Sequence, residues 1–210
     1  MTFTDPPWGV DIGGGNHADR KRGGITIAND ALPQDQFQEF LQQAMSVIRA
    51  VADGDLYCVM ASAQWPTIDH ILRGCGYHWS ATLVWVKQSM VLTRRKYHAR
   101  FEPIWYGWPQ DGKSSFSAGR DQDDVWQFDR PLKSPSHPTV KPLDLVAKAV
   151  FNSSQPGDIV FDPFSGSGST LVACHTAHRL CYANELLPKY VAVALERLSL
   201  LGLKPELVTQ

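Results

Sequence analysis

The sequence predicts an α/β fold organised around a mainly parallel sheet, and three observations support this prediction. Short apolar runs alternate with stretches of helical periodicity towards both ends of the 210-residue chain, which is the pattern of strand–helix–strand units. Two β-rich stretches near the middle, at residues 77–86 and 101–108, predict an antiparallel strand pair. No repeat or linker divides the chain, so we expect one domain over residues 1–210 with an insertion at about residues 87–136.

The elements of the first half follow from apolar spacing and from helix breakers. Apolar side chains recur at helical spacing over residues 35–51, and a second helix over residues 65–74 ends at a Gly-Cys-Gly sequence. Between them, residues 55–61 form a short apolar run that predicts a buried strand. After the strand pair, residues 109–138 are rich in Gly, Pro, Ser, Asp and Gln, which predicts a long irregular segment.

In the second half of the sequence, predicted helices and strands alternate strictly. Helical periodicity over residues 143–151 precedes an apolar strand at residues 158–162. A helix at residues 169–177, a strand at residues 180–186 and a last helix at residues 188–201 follow. Pro188 stands in the first turn of the last helix, where a missing N–H is tolerated.

Composition places the chain among soluble globular proteins. It is 43% hydrophobic and 20% charged, which excludes disordered and fibrous classes. No apolar run approaches the roughly 18 residues of a membrane helix, and the first residues carry no secretory signal, so we expect a cytoplasmic protein of a bacterial or phage-infected cell. The four cysteines lack metal-ligand spacing and predict free thiols and no metal. The net charge of -1 requires any nucleic-acid argument to be local.

A glycine-rich sequence, Asp162-Pro-Phe-Ser-Gly-Ser-Gly-Ser-Thr170, joins a predicted strand to a predicted helix. Glycines in this context let a ligand approach the backbone, although a plain strand-to-helix turn is the alternative. Leu171 stands where a dinucleotide-binding turn has its third glycine, which disfavours a nicotinamide oxidoreductase. Glu185 ends the next strand, where a carboxylate can accept both hydroxyls of a ribose. An adenosine ligand without a pyrophosphate fits this combination.

A second motif, Asp5-Pro6-Pro7-Trp8, lies at the start of the chain. Two successive prolines fix φ and lack N–H donors, which leaves carbonyls available as acceptors. With the Asp5 carboxylate and the flat Trp8 ring, they would suit a planar amine. A Pro-Pro turn beside a core tryptophan is the alternative for this short motif.

Together these motifs resemble the amino-methyltransferases of DNA with permuted (beta-class) motif order, including phage and prophage adenine methylases, some of which are fused to a ParB-like domain. The resemblance covers nearly the whole chain and includes a third element, His137-Pro-Thr-Val-Lys-Pro142. It implies a Rossmann-like S-adenosylmethionine methyltransferase fold and methyl transfer to the exocyclic amino group of a base flipped out of double-stranded DNA. Adenine N6 is the favoured target, with cytosine N4 or RNA adenine as alternatives. A homodimer is left open.

The resemblance also implies roles for individual residues. The target amine would lie between Asp5 and the Pro6 carbonyl, with Trp8 stacked on the base. No cysteine stands in a nucleophile-like turn, which disfavours carbon-5 methylation of cytosine. The implied catalytic set is Asp5, Pro6, Pro7 and Trp8. The implied cofactor-binding set is Asp162, Phe164, Ser165, Gly166, Gly168, Thr170, Glu185, His137, Thr139 and Lys141.

A basic stretch within the insertion predicts phosphate contacts with DNA. No acidic residue interrupts it from residue 87 to residue 100, and Tyr97 lies within it. A solvated loop between two strands is the alternative. A weaker patch at Lys21 and Arg22, in a glycine-rich run, predicts a mobile loop over the substrate, and plain flexibility of the run is the alternative. The DNA-binding set is Lys87, Arg94, Arg95, Lys96, His98 and Arg100.

The chain departs from the family pattern at two places. Leu187 stands where the family usually has an aspartate after the ribose-binding glutamate. The strand and helix that usually precede the Asp5 motif are absent, so we expect the N-terminal edge strand of the fold to be missing. A truncated or minimal enzyme follows, and a non-catalytic DNA-binding remnant is the alternative of a different class.

Overall fold

The computed structural model describes residues 1–11, 27–92, 96–131 and 140–208. In this part of the chain seven strands form one sheet in the order β5-β3-β4-β2-β1-β6-β7. The strands are β1 (Thr2–Thr4), β2 (Leu56–Val59), β3 (Tyr77–Val91), β4 (Ala99–Pro109), β5 (Val125–Gln127), β6 (Ile159–Asp162) and β7 (Leu180–Ala183). The α-helices are α1 (Gln34–Val51), α2 (Trp65–Gly74), α3 (Leu143–Asn152), α4 (Ser169–Thr176) and α5 (Pro188–Leu200).

The sheet is mainly parallel, as expected. β1 pairs in parallel with β2 and β6, β6 with β7, and β3 with β5. β4 runs antiparallel to both β2 and β3, which confirms the α/β fold class and the strand pair. β5 lies inside the segment predicted to be irregular. Its three residues are too few for a periodic signal, and buried Trp126 anchors it against the core.

Helices cover both faces of the sheet. α1 and α2 bury one cluster against Leu56, Cys58 and Met60 of β2 and the residue after it, whereas α3 and α4 bury another against Tyr57 and Val59. This alternation follows from the two-residue period of a strand that is buried on both sides. Burial of both faces explains why β2 reads as a short continuous apolar run.

β1 lies in the middle of the sheet although it has only three residues. All three are buried, and the N–H of Thr2 donates to the carbonyl of Asp55 over 2.7 Å. The chain's terminal amine donates to the carbonyl of Ile159 over 3.0 Å. At the far edge, no strand among the described residues pairs with the outer side of β7, and Leu180 and Tyr182 there are exposed.

The crossover helices that follow β1 and β6 lie on opposite faces of the sheet. The loops after these two neighbouring parallel strands therefore leave the same edge and diverge, which opens a crevice where α/β proteins commonly bind ligands. None of the helices in the described ranges is long and apolar enough to cross a membrane.

Candidate active site

A cavity of about 380 Å³ lies in this crevice, at the carboxyl ends of the central strands. Its size falls within the range of small-molecule sites. Its lining includes all four residues of the Asp5 motif and most of the glycine-rich motif, which lie 150 or more positions apart in the sequence. The predicted residues on this lining are Asp5, Pro6, Pro7, Trp8, Lys141, Asp162, Phe164, Ser165, Gly166, Thr170 and Glu185.

Asp5 is held from two sides. Lys141 Nζ donates to its Oδ2 over 2.6 Å, and Trp8 Nε1 donates to its Oδ1 over 3.1 Å. The Asp5 side chain remains 20% exposed. Burial raises the pKa of its carboxyl above the ordinary value, and the charge of Lys141 opposes that rise. The loop therefore presents an oriented carboxylate with lone pairs left for a further donor.

Lys141 links Asp5 to a second buried carboxylate. Its Nζ is 3.4 Å from Glu102 Oε2, and Lys87 Nζ is 2.5 Å from Glu102 Oε1. Burial alone would raise the pKa of Glu102, but Lys141 and Lys87 together lower it. The resemblance implied a cofactor contact for Lys141, whereas its contacts here are with carboxylates next to the Asp5 motif. The sequence analysis assigned Glu102 no role in the site, because it occupies an ordinary strand position.

Asp30 shapes the loop that carries Trp8. Its Oδ1 accepts the backbone N–H groups of Trp8 and Gly9, each over 2.9 Å. The residue itself is buried. Sequence reasoning missed this contribution, since Asp30 is separated from the motif by the glycine-rich run and carries no recognisable spacing.

The glycine-rich turn is organised by Asp162. Its carboxylate accepts the hydroxyl of Thr170 over 2.5 Å and the N–H of Phe164 over 3.1 Å. Burial raises the pKa of Asp162 to about 7. Phe164 packs edge-on against Phe40 of α1, with ring centroids 6.0 Å apart. These contacts fix the turn that forms one wall of the cavity.

Glu185 lies against this turn and also lines the cavity. One carboxylate oxygen accepts the N–H of Gly166 over 2.9 Å, and the other accepts the N–H of Leu187 over 2.8 Å. Because the second bond comes from a backbone N–H, leucine at position 187 still supports Glu185. Each oxygen retains a lone pair for a further donor.

Gly168 is placed differently from the predicted cofactor-binding residues that line the cavity. It is absent from the cavity lining and has a φ of +78°, where a side chain would bring its Cβ to 2.8 Å from the Cβ of Ala194. The glycine therefore serves the turn and the close approach of α4 and α5, rather than ligand access. The sequence alone could not separate these two uses of a glycine.

The predicted DNA-binding residues divide into two groups. Lys87 is buried and paired with Glu102, so its assignment to a phosphate-contacting surface was wrong: it has no free charge to offer. Lys96, His98 and Arg100 are exposed at the end of the β3–β4 hairpin. The remaining predicted positions, Arg94, Arg95, His137, Thr139, Lys21 and Arg22, lie outside the described residues.

Comparison with known proteins shows the family. A family model described as DNA methylase matches residues 1–196, which includes both cavity motifs. The chain belongs to the DNA methylase family. This membership confirms the predicted family, the amino-methyltransferases of DNA, whose cofactor is S-adenosylmethionine. The family spans enzymes that act on adenine N6 and on cytosine N4, so membership alone does not choose the base.

Individual relatives agree with this assignment. The chain is 34% identical to the type II methyltransferase M.Cfr9I of Citrobacter freundii over 46% of its own length and 33% of that protein. It is 24% identical to the DNA adenine methyltransferase YhdJ of Escherichia coli over 94% of its length and 75% of that protein. The matched region thus spans about a third of the first of these relatives.

A solved structure shows the shared fold. The cytosine-N4-specific PvuII DNA methyltransferase superposes with a TM-score of 0.73, at 15% identity, over 93% of this chain and 78% of that one. This chain therefore shares its fold with an enzyme that acts on cytosine N4, so the fold alone does not identify the target base.

Proposed function

We propose that this protein transfers a methyl group from S-adenosylmethionine to the exocyclic amino group of a base flipped out of double-stranded DNA, with adenine N6 as the target. One observation carries the proposal: the Asp5 motif and the glycine-rich turn with Glu185 line a single cavity. A methyl acceptor held at one wall and a methyl donor held at the other would then meet without either motif moving.

The residues on the donor side suit S-adenosylmethionine. Glu185 is fixed by two backbone N–H groups and keeps lone pairs for ribose hydroxyls. Gly166, which also lines the cavity, carries no side chain to block a ligand. When bound, the cofactor supplies an electrophilic methyl group on a sulfonium centre. Glu185 and the turn would orient it towards Asp5.

On the acceptor side, Asp5 would accept one amine N–H and the Pro6 carbonyl the other. Drawing both hydrogens into hydrogen bonds directs the nitrogen lone pair away from the ring system, and a preorganised carboxylate needs no rearrangement during transfer. Trp8 offers a ring on which the flipped base can stack. The reaction then requires no covalent intermediate with the protein.

Cys58, which pairs with Thr4 of β1 just before Asp5, is unsuited to nucleophilic chemistry. Cys58 is fully buried, and burial raises the pKa of its thiol far above the ordinary value. A neutral, buried thiol does not attack carbon 6 of cytosine. This supports transfer to an amino group over methylation of carbon 5.

The choice of adenine rests on the motif. Aspartate ahead of the two prolines favours adenine over cytosine in the family that the chain resembles. YhdJ, named as an adenine enzyme, is similar over most of the chain, whereas the PvuII enzyme acts on cytosine N4. Cytosine N4 is therefore the second candidate, and it requires the same residues in the same roles.

The insertion supplies the proposed contact with DNA. Exposed Lys96, His98 and Arg100 lie at the end of the β3–β4 hairpin, beside Tyr97, which is 93% exposed. Cations and an aromatic ring at a projecting tip suit phosphates and bases. These residues support a DNA-contacting role for the hairpin end, whereas β3 and β4 themselves belong to the sheet.

Product analysis tests the proposal. The purified protein is incubated with isotope-labelled S-adenosylmethionine and either unmethylated mixed-sequence duplex DNA or RNA of the same sequence, and the digested nucleosides are identified by mass spectrometry. We expect label in N6-methyldeoxyadenosine from duplex DNA. Label in N4-methyldeoxycytidine would select the second candidate, and label confined to RNA would overturn the DNA assignment. No labelled nucleoside would favour the non-catalytic remnant.

A further inference from the structure

The buried charges next to the cavity form a row that the proposed chemistry does not yet use. Asp5, Lys141, Glu102 and Lys87 alternate in sign, with successive contacts of 2.6, 3.4 and 2.5 Å. They come from the Asp5 loop, the segment before α3, β4 and β3. Two carboxylates and two ammonium groups balance, so the row is neutral as a whole.

Lys141 contacts the same two side chains that we propose bind the target base. Its ammonium group donates to Asp5 and lies 5.0 Å from the centroid of the Trp8 ring. A primary ammonium on an aromatic face with a hydrogen bond to Asp5 mimics an amino group on a stacked base. A base amine and Lys141 would therefore compete for the same carboxylate.

Glu102 provides a second hydrogen-bond acceptor for Lys141. Its Oε2 atom is buried and, within the described residues, has no hydrogen-bond partner of good geometry, although Lys141 Nζ is only 3.4 Å away. Its other oxygen is held by Lys87, which fixes the carboxylate. A buried carboxylate oxygen with an open lone pair 3.4 Å from an ammonium group is available as a hydrogen-bond acceptor.

We propose that Lys141 is a placeholder for the target amine and that Glu102 is the positioning residue that receives it when the base enters. Before the base arrives, Lys141 keeps the Asp5 carboxylate oriented and neutralised. As the base amine takes Asp5, Lys141 shifts its hydrogen bond to Glu102 Oε2 and stays charged throughout. This inference rests on the proposed function, because it assumes that Asp5 accepts the base amine.

Comparing a single and a double variant tests this hand-over, the shift of the Lys141 hydrogen bond from Asp5 to Glu102. Glu102→Gln removes the charge that receives Lys141, so Lys141 should stay on Asp5 and obstruct the base amine. We expect the plateau methyl-transfer rate of E102Q, read from the high-pH end of its pH profile, to fall at least tenfold with S-adenosylmethionine affinity within twofold of wild type. In E102Q combined with Lys141→Met the obstruction is gone, so the plateau should rise above that of E102Q alone.

The plateau is used because the removed charges also act on the ionisation of Asp5. The titratable groups that face Asp5 are Lys141, Glu102 and, through it, Lys87, together with Asp162 of β6 and Cys58 of β2. Comparing plateaus removes differences in the fraction of ionised Asp5 at one pH.

Asp55→Asn is the matched control. Asp55 is also a buried carboxylate, accepting hydrogen bonds from Tyr106, Ser153 and the N–H of Ser115, but it precedes β2, at the opposite end of that strand from the cavity. D55N should lower stability and leave the plateau rate within twofold. A purely structural Glu102 would instead make the double variant no faster than E102Q, and that result would overturn the proposal.

Two further outcomes keep the test decisive. A folded E102Q with the wild-type plateau would overturn the hand-over while leaving the proposed function intact, since wild type would still transfer methyl groups. If E102Q does not fold, Glu102→Asp replaces it, because the shorter side chain withdraws the carboxylate from Lys141. We expect a reduced plateau for E102D, and a wild-type plateau in that variant would also contradict the proposal.

Discussion

At the scale of single residues, the site depends on carboxylates that hold the protein in place and also line the cavity. Both oxygens of Asp5 and both oxygens of Glu185 accept hydrogen bonds from the protein and retain lone pairs for a further donor. Because one carboxylate does both, a substitution that tests ligand binding is compared with a measurement of ligand-free stability.

Glu185 gives the most direct test of the donor wall. Glu185→Ala removes the charge-assisted hydrogen bonds expected to the ribose, each worth roughly 1.5–3 kcal/mol. We expect S-adenosylmethionine to bind at least tenfold more weakly in isothermal titration, with Glu185→Gln intermediate. Since the carboxylate also holds two backbone N–H groups, ligand-free melting is the control. Unchanged cofactor affinity in E185A would contradict this placement.

Asp162 predicts a pH dependence of stability. Its folded-state pKa is raised from the ordinary 3.8 to about 7, so between these values the folded protein holds a proton that the unfolded chain has released. The contribution of Asp162 to the free energy of unfolding therefore falls as the pH rises between these two pKa values. Asp162→Asn cannot ionise, and it should gain stability relative to wild type from pH ~4 to pH ~7, by up to about 4 kcal/mol in total. Urea unfolding across this range measures it; a constant difference between the two proteins would refute the assignment.

At the scale of elements, the β3–β4 hairpin separates stable sheet from exposed tip. The same two strands that cover the core beside β2 extend past it to carry exposed cations. Lys96 at the tip is exposed, whereas Arg100 Nε also donates to the carbonyl of Lys87 over 3.1 Å.

The salt dependence of DNA affinity tests whether the tip of the β3–β4 hairpin contacts phosphates. Lys96→Ala combined with Arg100→Ala should flatten the slope of log K against log salt by about 1.8, near 0.9 for each lost phosphate contact. S-adenosylmethionine affinity should not change. Lys113→Ala removes an exposed cation far along the chain from the tip and should leave the slope as it is. An unchanged slope in the double variant would identify the stretch as a solvated loop.

Substitution of two glycines tests whether Gly168 is required by the turn before α4 and by the packing of α5. Gly168→Ala combines backbone strain at a φ of +78° with a contact of 2.8 Å to Ala194, whereas Gly157→Ala, at a φ of +88°, meets nothing within 4 Å. Strain costs both variants about 1–2 kcal/mol, and overpacking adds about 1–3 kcal/mol to the first. Chemical denaturation should show the larger loss for G168A. Equal losses would mean that α5 does not pack closely on this turn.

At the scale of the whole molecule, the order of elements was predictable from the sequence, whereas the links between them were not. The predicted helices and strands all form, because apolar spacing and breakers act locally. The meeting of the Asp5 motif with the glycine-rich turn also follows, since both come directly after buried strands.

The missed features depend on contacts between distant parts of the chain. Lys87 was expected to contact phosphates because it begins a basic stretch, but its partner Glu102 lies across the strand pair and buries it. Asp30 supports the Trp8 loop over a separation of more than 20 residues. Neither pairing leaves a periodic or local signal, and only the register of β3 and β4 and the path of the loop determine them.

The central claim is that Asp5 accepts the target amine in a cavity shared with the cofactor. It is tested most directly by single-turnover methyl transfer to duplex DNA by wild type and Asp5→Asn at saturating S-adenosylmethionine. The amide keeps the shape but loses the charge of a preorganised acceptor, which typically costs roughly 2.7–4 kcal/mol of barrier. We predict that D5N binds the cofactor as wild type does and transfers the methyl group about two to three decades more slowly. A folded D5N that methylates DNA at the wild-type rate would contradict the account.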